Sequence, residues 1–149
     1  MEVGDLCSRE VYLVKRDEPL AVAVREMRRR HIGALVVVEP HGESMTPVGI
    51  LTDRDIVCGQ LARQKDLFCL NVGDVMTPQP MTVEETSGMA EAIGRLSARG
   101  VRRAPVVNQS GELVGLISFD DLLPAVAAQL SALAQLIGTQ ARQEDERAG

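Results

Sequence analysis

Tryptophan is absent from this chain, and its aromatic side chains are Tyr12, Phe68 and Phe119 alone. No stretch offers a platform on which successive bases could stack, which disfavours single-stranded nucleic acid as a ligand. Positive charge is also short, with 16 Lys and Arg against 21 Asp and Glu, a formal net charge of -5. A chain of that sign has no overall attraction to phosphate backbones or acidic bilayers, so neither nucleic acid nor membrane is expected as a partner. Cysteine is limited to Cys7, Cys58 and Cys69, an odd number with no C-x-x-C pair, and His31 and His41 form no ligand spacing with them. These residues predict no metal site and point to reduced thiols in a cytoplasmic protein, with a redox-sensing cysteine as the alternative. Gln129, Ser131 and Gln135 interrupt the most apolar stretch. It therefore falls short of the roughly 18 to 20 apolar residues expected of a membrane span. The acidic N-terminus also lacks the apolar core of a signal peptide. No serine or cysteine stands in a relay with histidine, so no catalytic residues are expected.

The chain does contain a duplication. Val3-Gly4-Asp5-Leu6-Cys7-Ser8 returns as Val72-Gly73-Asp74-Val75-Met76-Thr77, and the offset of 69 holds without a gap until Val37-Val38 meets Val106-Val107. After a loop three residues longer in the first copy, Val48-Gly49-Ile50-Leu51-Thr52-Asp53-Arg54-Asp55 answers to Val114-Gly115-Leu116-Ile117-Ser118-Phe119-Asp120-Asp121. Copies of about 60 residues are marginal alone and should bury a face against each other, leaving clefts between them as natural ligand sites.

Each copy reads strand, helix, strand, strand, helix. In the first, Leu20, Ala23, Val24 and Met27 fall at helical spacing, with Asp17 as a candidate cap and Pro19 in the first turn, and Gly33 ends the helix. Ala34 to Val38 is a β-branched run of strand length, His41-Gly42 and Pro47 mark a turn, and Ile56, Val57 and Leu61 trace a second helix. The expected organisation is a first repeat over 3–61, a linker over 62–71 with Phe68 and Leu70 packed on the body, and a second repeat over 72–125. A C-terminal helix over 126–142 and a frayed tail over 143–149 follow. Pro124 should kink or restart the last helix. Val126, Leu130, Leu133 and Ile137 form a stripe that packs either on its own domain or on a second copy in a homodimer.

Two units ending in Gly-apolar-apolar-Thr/Ser-x-x-Asp, each preceded by a strand such as Val101-Arg102-Arg103-Ala104-Pro105-Val106-Val107, resemble a pair of cystathionine-β-synthase (CBS) domains. Gly73-Asp74-Val75-Met76-Thr77-Pro78 is similar to the family's usual lead-in. The resemblance implies an α+β fold of two tandem repeats packed by pseudo-twofold symmetry, plus a C-terminal helix. It also implies regulation rather than catalysis, with AMP, ADP or ATP, or else NAD or S-adenosylmethionine, bound between the copies. One site would comprise Thr52 and Asp55 with Pro80, Met81, Val101, Arg103 and Pro105; the other, Ser118 and Asp121 with Val11, Tyr12, Ile32 and Ala34. In this picture Asp55 takes ribose, Thr52 and Arg103 take phosphate, and the apolar residues sandwich adenine.

The residues themselves leave alternatives open. Thr-x-x-Asp opening a helix is also a capping box, Arg102 and Arg103 also suit a solvated strand end, and Arg28 to His31 suit a solvated helix face. Because Gly33-Ala34 stands where the second copy has Arg102-Arg103, unequal sites are expected. The function implied is a homodimeric sensor of adenylate signalling to a regulated protein. The alternative is a ligand-free scaffold working through its C-terminal helix.

Overall fold

The computed structural model describes residues 1–64, 66–78 and 81–148. The first repeat runs α1 (Val3–Leu6), β1 (Leu13–Lys15), α2 (Leu20–Arg30), β2 (Ala34–His41), β3 (Ser44–Thr52) and α3 (Asp53–Arg63). The second runs α4 (Val72–Val75), β4 (Thr77–Pro78), β5 (Val83–Glu84), α5 (Met89–Arg99), β6 (Arg103–Val107), β7 (Leu113–Ser118) and α6 (Phe119–Ala148). The strand–helix–strand–strand–helix order holds in both, each preceded by a one-turn helix that the apolar periodicity did not reveal.

One sheet has the order β1-β2-β3-β4 and the other β5-β6-β7. In each, a parallel pair (β1 with β2, β5 with β6) adjoins an antiparallel hairpin. Both hairpins carry the same irregularity, between Val37 and Val38 and between Val106 and Val107. In the first hairpin it places Pro47 opposite Val38, so Pro47 lies inside β3 and not in the turn, at an irregularity where a missing N–H is tolerated.

α2 buries Leu20, Ala23 and Met27. Its start differs from expectation: Pro19 is the N-cap, with no side-chain cap, and neither Asp17 nor any other side chain fills that role. The linker does so instead, since the Leu20 amide donates to the Leu70 carbonyl at 2.8 Å. The helix ends at His31, in the left-handed region (φ 55), two residues before Gly33. Of the expected α3 stripe only Ile56 is buried; Val57 and Leu61 face outward. Within the linker Leu70 is buried, while Phe68 is 75% exposed, contrary to expectation.

The repeats are completed by exchange. The second core holds Val3 from α1 with Val83, Leu96, Val106 and Ile117, and the first holds Val72 from α4 with Leu20, Leu35, Val37 and Leu51. The Gly4 amide donates to the Glu85 carbonyl, and the Gly73 amide to the Arg16 carbonyl. Beyond α4, β4 pairs with β3, while Ser8 exchanges both backbone bonds with Leu116 of β7 at 2.9 and 3.0 Å. These crossings are close. A Cβ at Gly49 would lie 2.9 Å from the Thr77 carbonyl oxygen, and one at Gly115 would lie 2.8 Å from that of Ser8.

α6 differs most from the sequence reading. It begins at Phe119 and continues through Pro124 to Ala148, so 126–142 is only its middle, 143–148 is helical, and no restart occurs at the proline. Thr139 to Ala148 is rich in Ala, Gln, Glu and Arg, which favour helix. Every residue from Val126 to Ala148 is exposed. The apolar stripe therefore does not pack on its own domain. An 18-residue window of this helix has a mean hydropathy of 1.5, so by length and composition it is apolar enough to cross a membrane. The three polar residues interrupting that window are too few to lower its mean further.

Candidate functional site

The larger cleft adjoining the β3–α3 corner encloses about 610 Å³ where that corner meets the lead-in of the second repeat and the start of β6. β3 delivers Thr52 to the N-terminus of α3, where the Asp55 amide donates to Thr52 Oγ1 and the Thr52 amide donates to Asp55 Oδ2, both at 3.0 Å. This reciprocal capping box uses one carboxylate oxygen of Asp55 and turns the other toward β4, where the Thr77 hydroxyl donates to it at a long 3.5 Å. Arg54, Arg99, Arg102 and Arg103 line the same cleft, with Asp53 as the second acid. Among the described residues none of these four arginines is in an ion pair. Arg102 lies over the Phe119 ring, 5.3 Å from its centroid. The cleft thus combines a helix N-terminus, a partly free carboxylate and an excess of cations, a set that suits an anion attached to a hydroxyl-bearing group.

The pseudo-equivalent cleft is smaller, about 350 Å³, and lies where Ser8 to Tyr12 and Ile32 to Ala34 meet Ser118. Its charge is different: among the described residues Glu10 and Asp120 face a single cation, Arg103. Asp120 occupies the repeat position of Arg54, a reversal of sign. Arg30, at the repeat position of Arg99, is absent from the lining. Its Nε donates to Glu26 Oε2 at 2.8 Å and its guanidinium lies 4.3 Å from the Tyr12 centroid. That hydrogen bond holds the Glu26 carboxyl below its usual range. At the α6 terminus, the Ser118 amide and hydroxyl both donate to Asp121 Oδ2, at 2.9 and 3.0 Å.

The sequence profile of the CBS domain matches residues 3–59 and 72–128. The chain belongs to the CBS-domain family. An uncharacterised protein of Methanopyrus kandleri is 31% identical over 83% of this chain, which spans 61% of that relative's length. Among solved structures, a CBS-domain protein from Pyrobaculum aerophilum complexed with AMP superposes with a TM-score of 0.75 at 24% identity, covering 89% of this chain and 99% of its own. The CBS domain pair of protein MJ0100, in complex with 5-methylthioadenosine and S-adenosyl-L-methionine, gives 0.72 at 22% identity, covering 87% and 98%. At these identities the superpositions establish the tandem CBS fold.

Within this CBS pair, the structure brings Thr52, Asp55, Met81, Val101 and Arg103 together in the larger cleft. Pro80 lies outside the described residues. Pro105 does not line the cleft: it is fully buried, opposite Leu116 in the β6–β7 ladder. β6 is covered on both faces from Ala104 onward, so strand alternation does not turn Pro105 toward the cleft. Val11, Tyr12, Ile32, Ala34 and Ser118 line the smaller cleft, whereas Asp121 does not; Asp120, one residue earlier, takes its place. Asp121 is held by Ser118 within the helix cap. The smaller cleft does hold a cation, although Gly33-Ala34 stands where the second copy has Arg102-Arg103, because Arg103 lines both clefts. Sequence reasoning missed Arg54, Arg99 and Asp120. The signal was present in the opposite charges at repeat-equivalent positions 54 and 120.

Proposed function

We propose that this chain is a regulatory CBS pair that binds adenosine nucleotides between its repeats and relays their occupancy to a partner protein in the cytoplasm. The observation that carries this reading is the larger cleft, where the α3 N-terminus and the carboxylate of Asp55 share a wall with four arginines that, among the described residues, are in no ion pair. The second oxygen of Asp55 would accept from ribose hydroxyls, the arginines and helix N–H groups would hold phosphate, and Met81 and Val101 would flank adenine. AMP, ADP and ATP share that chemistry, and the Pyrobaculum aerophilum protein is known in complex with AMP. The smaller cleft, with two carboxylates and one arginine, suits an adenosine ligand of lower negative charge. S-adenosylmethionine, found with the MJ0100 pair, has that character, and NAD is a further candidate.

Relay to a partner requires the ligand to bind one arrangement of the repeats better than another. A second copy docked on the exposed stripe of α6 completes the reading as a homodimer. The same exposed helix favours a scaffold as the second reading, and ligand titration separates the two. Hydrogen bonds to a charged group contribute about 1.5 to 3 kcal/mol, so Asp55→Ala should weaken AMP binding roughly ten- to a hundredfold in calorimetry. Asp121→Ala should weaken it less. Unchanged AMP affinity in Asp55→Ala would remove the larger cleft as the binding site.

A further inference from the structure

Among the described residues, Arg103 is the one that lines both clefts. It opens β6, is paired in register with Ser118 of β7, and is half-buried at the junction of the repeats. Among the described residues its guanidinium has neither an ion pair nor a side-chain hydrogen bond. Its repeat counterpart is Ala34, so the pair of clefts holds one such cation where symmetry would supply two. The larger cleft has three other arginines, while the smaller has none and carries Glu10 and Asp120.

We infer that the clefts are antagonistically coupled through Arg103. A guanidinium satisfies an anion best through two parallel N–H bonds in its own plane, and that fork points to one place at a time. A phosphate held in the larger cleft draws Arg103 to that side and leaves a second phosphate facing Glu10 and Asp120 without a counter-charge. If both phosphates share the guanidinium, they stand close together and repel. Either geometry lowers the affinity of the second anion, and linkage makes the penalty reciprocal. A neutral adenosine ligand escapes it. The device rests on the reading that both clefts take adenosine ligands, and it makes the protein respond to which cleft fills first.

The test is calorimetry with AMP on the full chain and on Arg54→Glu/Asp55→Ala, which disables the larger cleft and leaves Arg103 in place. Wild type should show two events, the second at least fivefold weaker than the single event that remains in the double variant. Adding Ala34→Arg to wild type should strengthen the second event to that level, and Arg103→Ala in both backgrounds should erase the difference. Equal affinities for the second wild-type event and the double-variant event would overturn the coupling, as would a difference that survives Arg103→Ala. A single event in wild type with none in the double variant overturns the coupling but leaves nucleotide binding in the larger cleft intact. No AMP binding in wild type overturns both.

Discussion

Gly115 is held by a neighbour that cannot move aside. A Cβ there would stand 2.7 Å from Cys7 Sγ and 2.8 Å from the Ser8 carbonyl oxygen, and that carbonyl accepts the Leu116 amide where the first repeat's lead-in crosses β7. Gly115→Ala should therefore cost about 1 to 3 kcal/mol in urea denaturation, the range for overpacking. Gly94, on the exposed side of α5 with nothing within 4 Å of its missing Cβ, should behave oppositely. Gly94→Ala should gain about 0.5 to 1 kcal/mol. The same crossing accounts for Cys7, whose burial against the second core pushes its thiol pKa up despite the opposing charge of Arg9. In the sign of the linkage, a raised value favours the protonated fold, so this contribution is present below the ordinary thiol range and lost as pH rises through the raised value. With a disulfide reagent at pH 8, exposed Cys58 and Cys69 should react quickly. Cys7 should react slowly until urea unfolds the chain; three equally fast thiols would contradict this packing. At this scale Thr52 and Asp55 were readable from sequence because a capping box and the proposed ribose acceptor require the same residue types, the cap using one oxygen of Asp55 and leaving the other. Arg54 and Asp120 were not, because the middle positions of Thr-x-x-Asp ordinarily point to water, and only the junction of the repeats makes them walls.

α6 is a 30-residue helix of which Leu122 is the one buried residue. At 1.5 Å per residue it extends about 45 Å, and only its first turns touch the body. Val126, Leu130, Leu133 and Ile137 recur at spacings of four, three and four, which puts them on one face, while Gln129, Ser131 and Gln135 stand outside that stripe. A one-sided stripe suits a helix partner better than lipid, which would surround all sides. Leu130→Glu with Ile137→Glu should convert a dimer to a monomer in analytical ultracentrifugation, and the monomer should keep its fold because neither side chain is in the core. A monomeric wild type at micromolar concentration would sink the homodimer. The stripe was visible as a period in the sequence, and so was α2, whose inward positions repeat at helical spacing. The one-turn helices α1 and α4 were not, since four residues are too few to display a period and their buried contacts, Val3 and Val72, are with the other repeat.

That exchange decides how the molecule behaves as a whole. Each sequence repeat is contiguous, yet each core takes its last valine from the other repeat's lead-in, and each hairpin is edged by the other's chain. A duplicated sequence identifies two copies of a unit; it carries no signal for which copy a lead-in packs against, because the apolar pattern of Val3 and Leu6 is satisfied equally by either core. The energetic consequence is that neither half is complete alone. Separated at the linker, residues 1–64 would lack Val72 and the β4 edge, while residues 65–149 would lack Val3 and the Ser8 crossing. A buried valine contributes roughly 1.5 to 3 kcal/mol, a large share of what a domain of about 60 residues has in total. Each fragment alone should therefore show the circular dichroism of a largely unfolded chain, and equimolar mixing should restore helix and strand together. In the intact chain Val3→Ala and Val72→Ala should shift one common urea transition, although their side chains lie in different cores. Two separate transitions, with each valine moving only its own, would mean that the exchanged lead-ins do not bind the repeats into one cooperative body. Ligand in either cleft should then stabilise only half of the molecule, whereas a single cooperative body would be stabilised throughout.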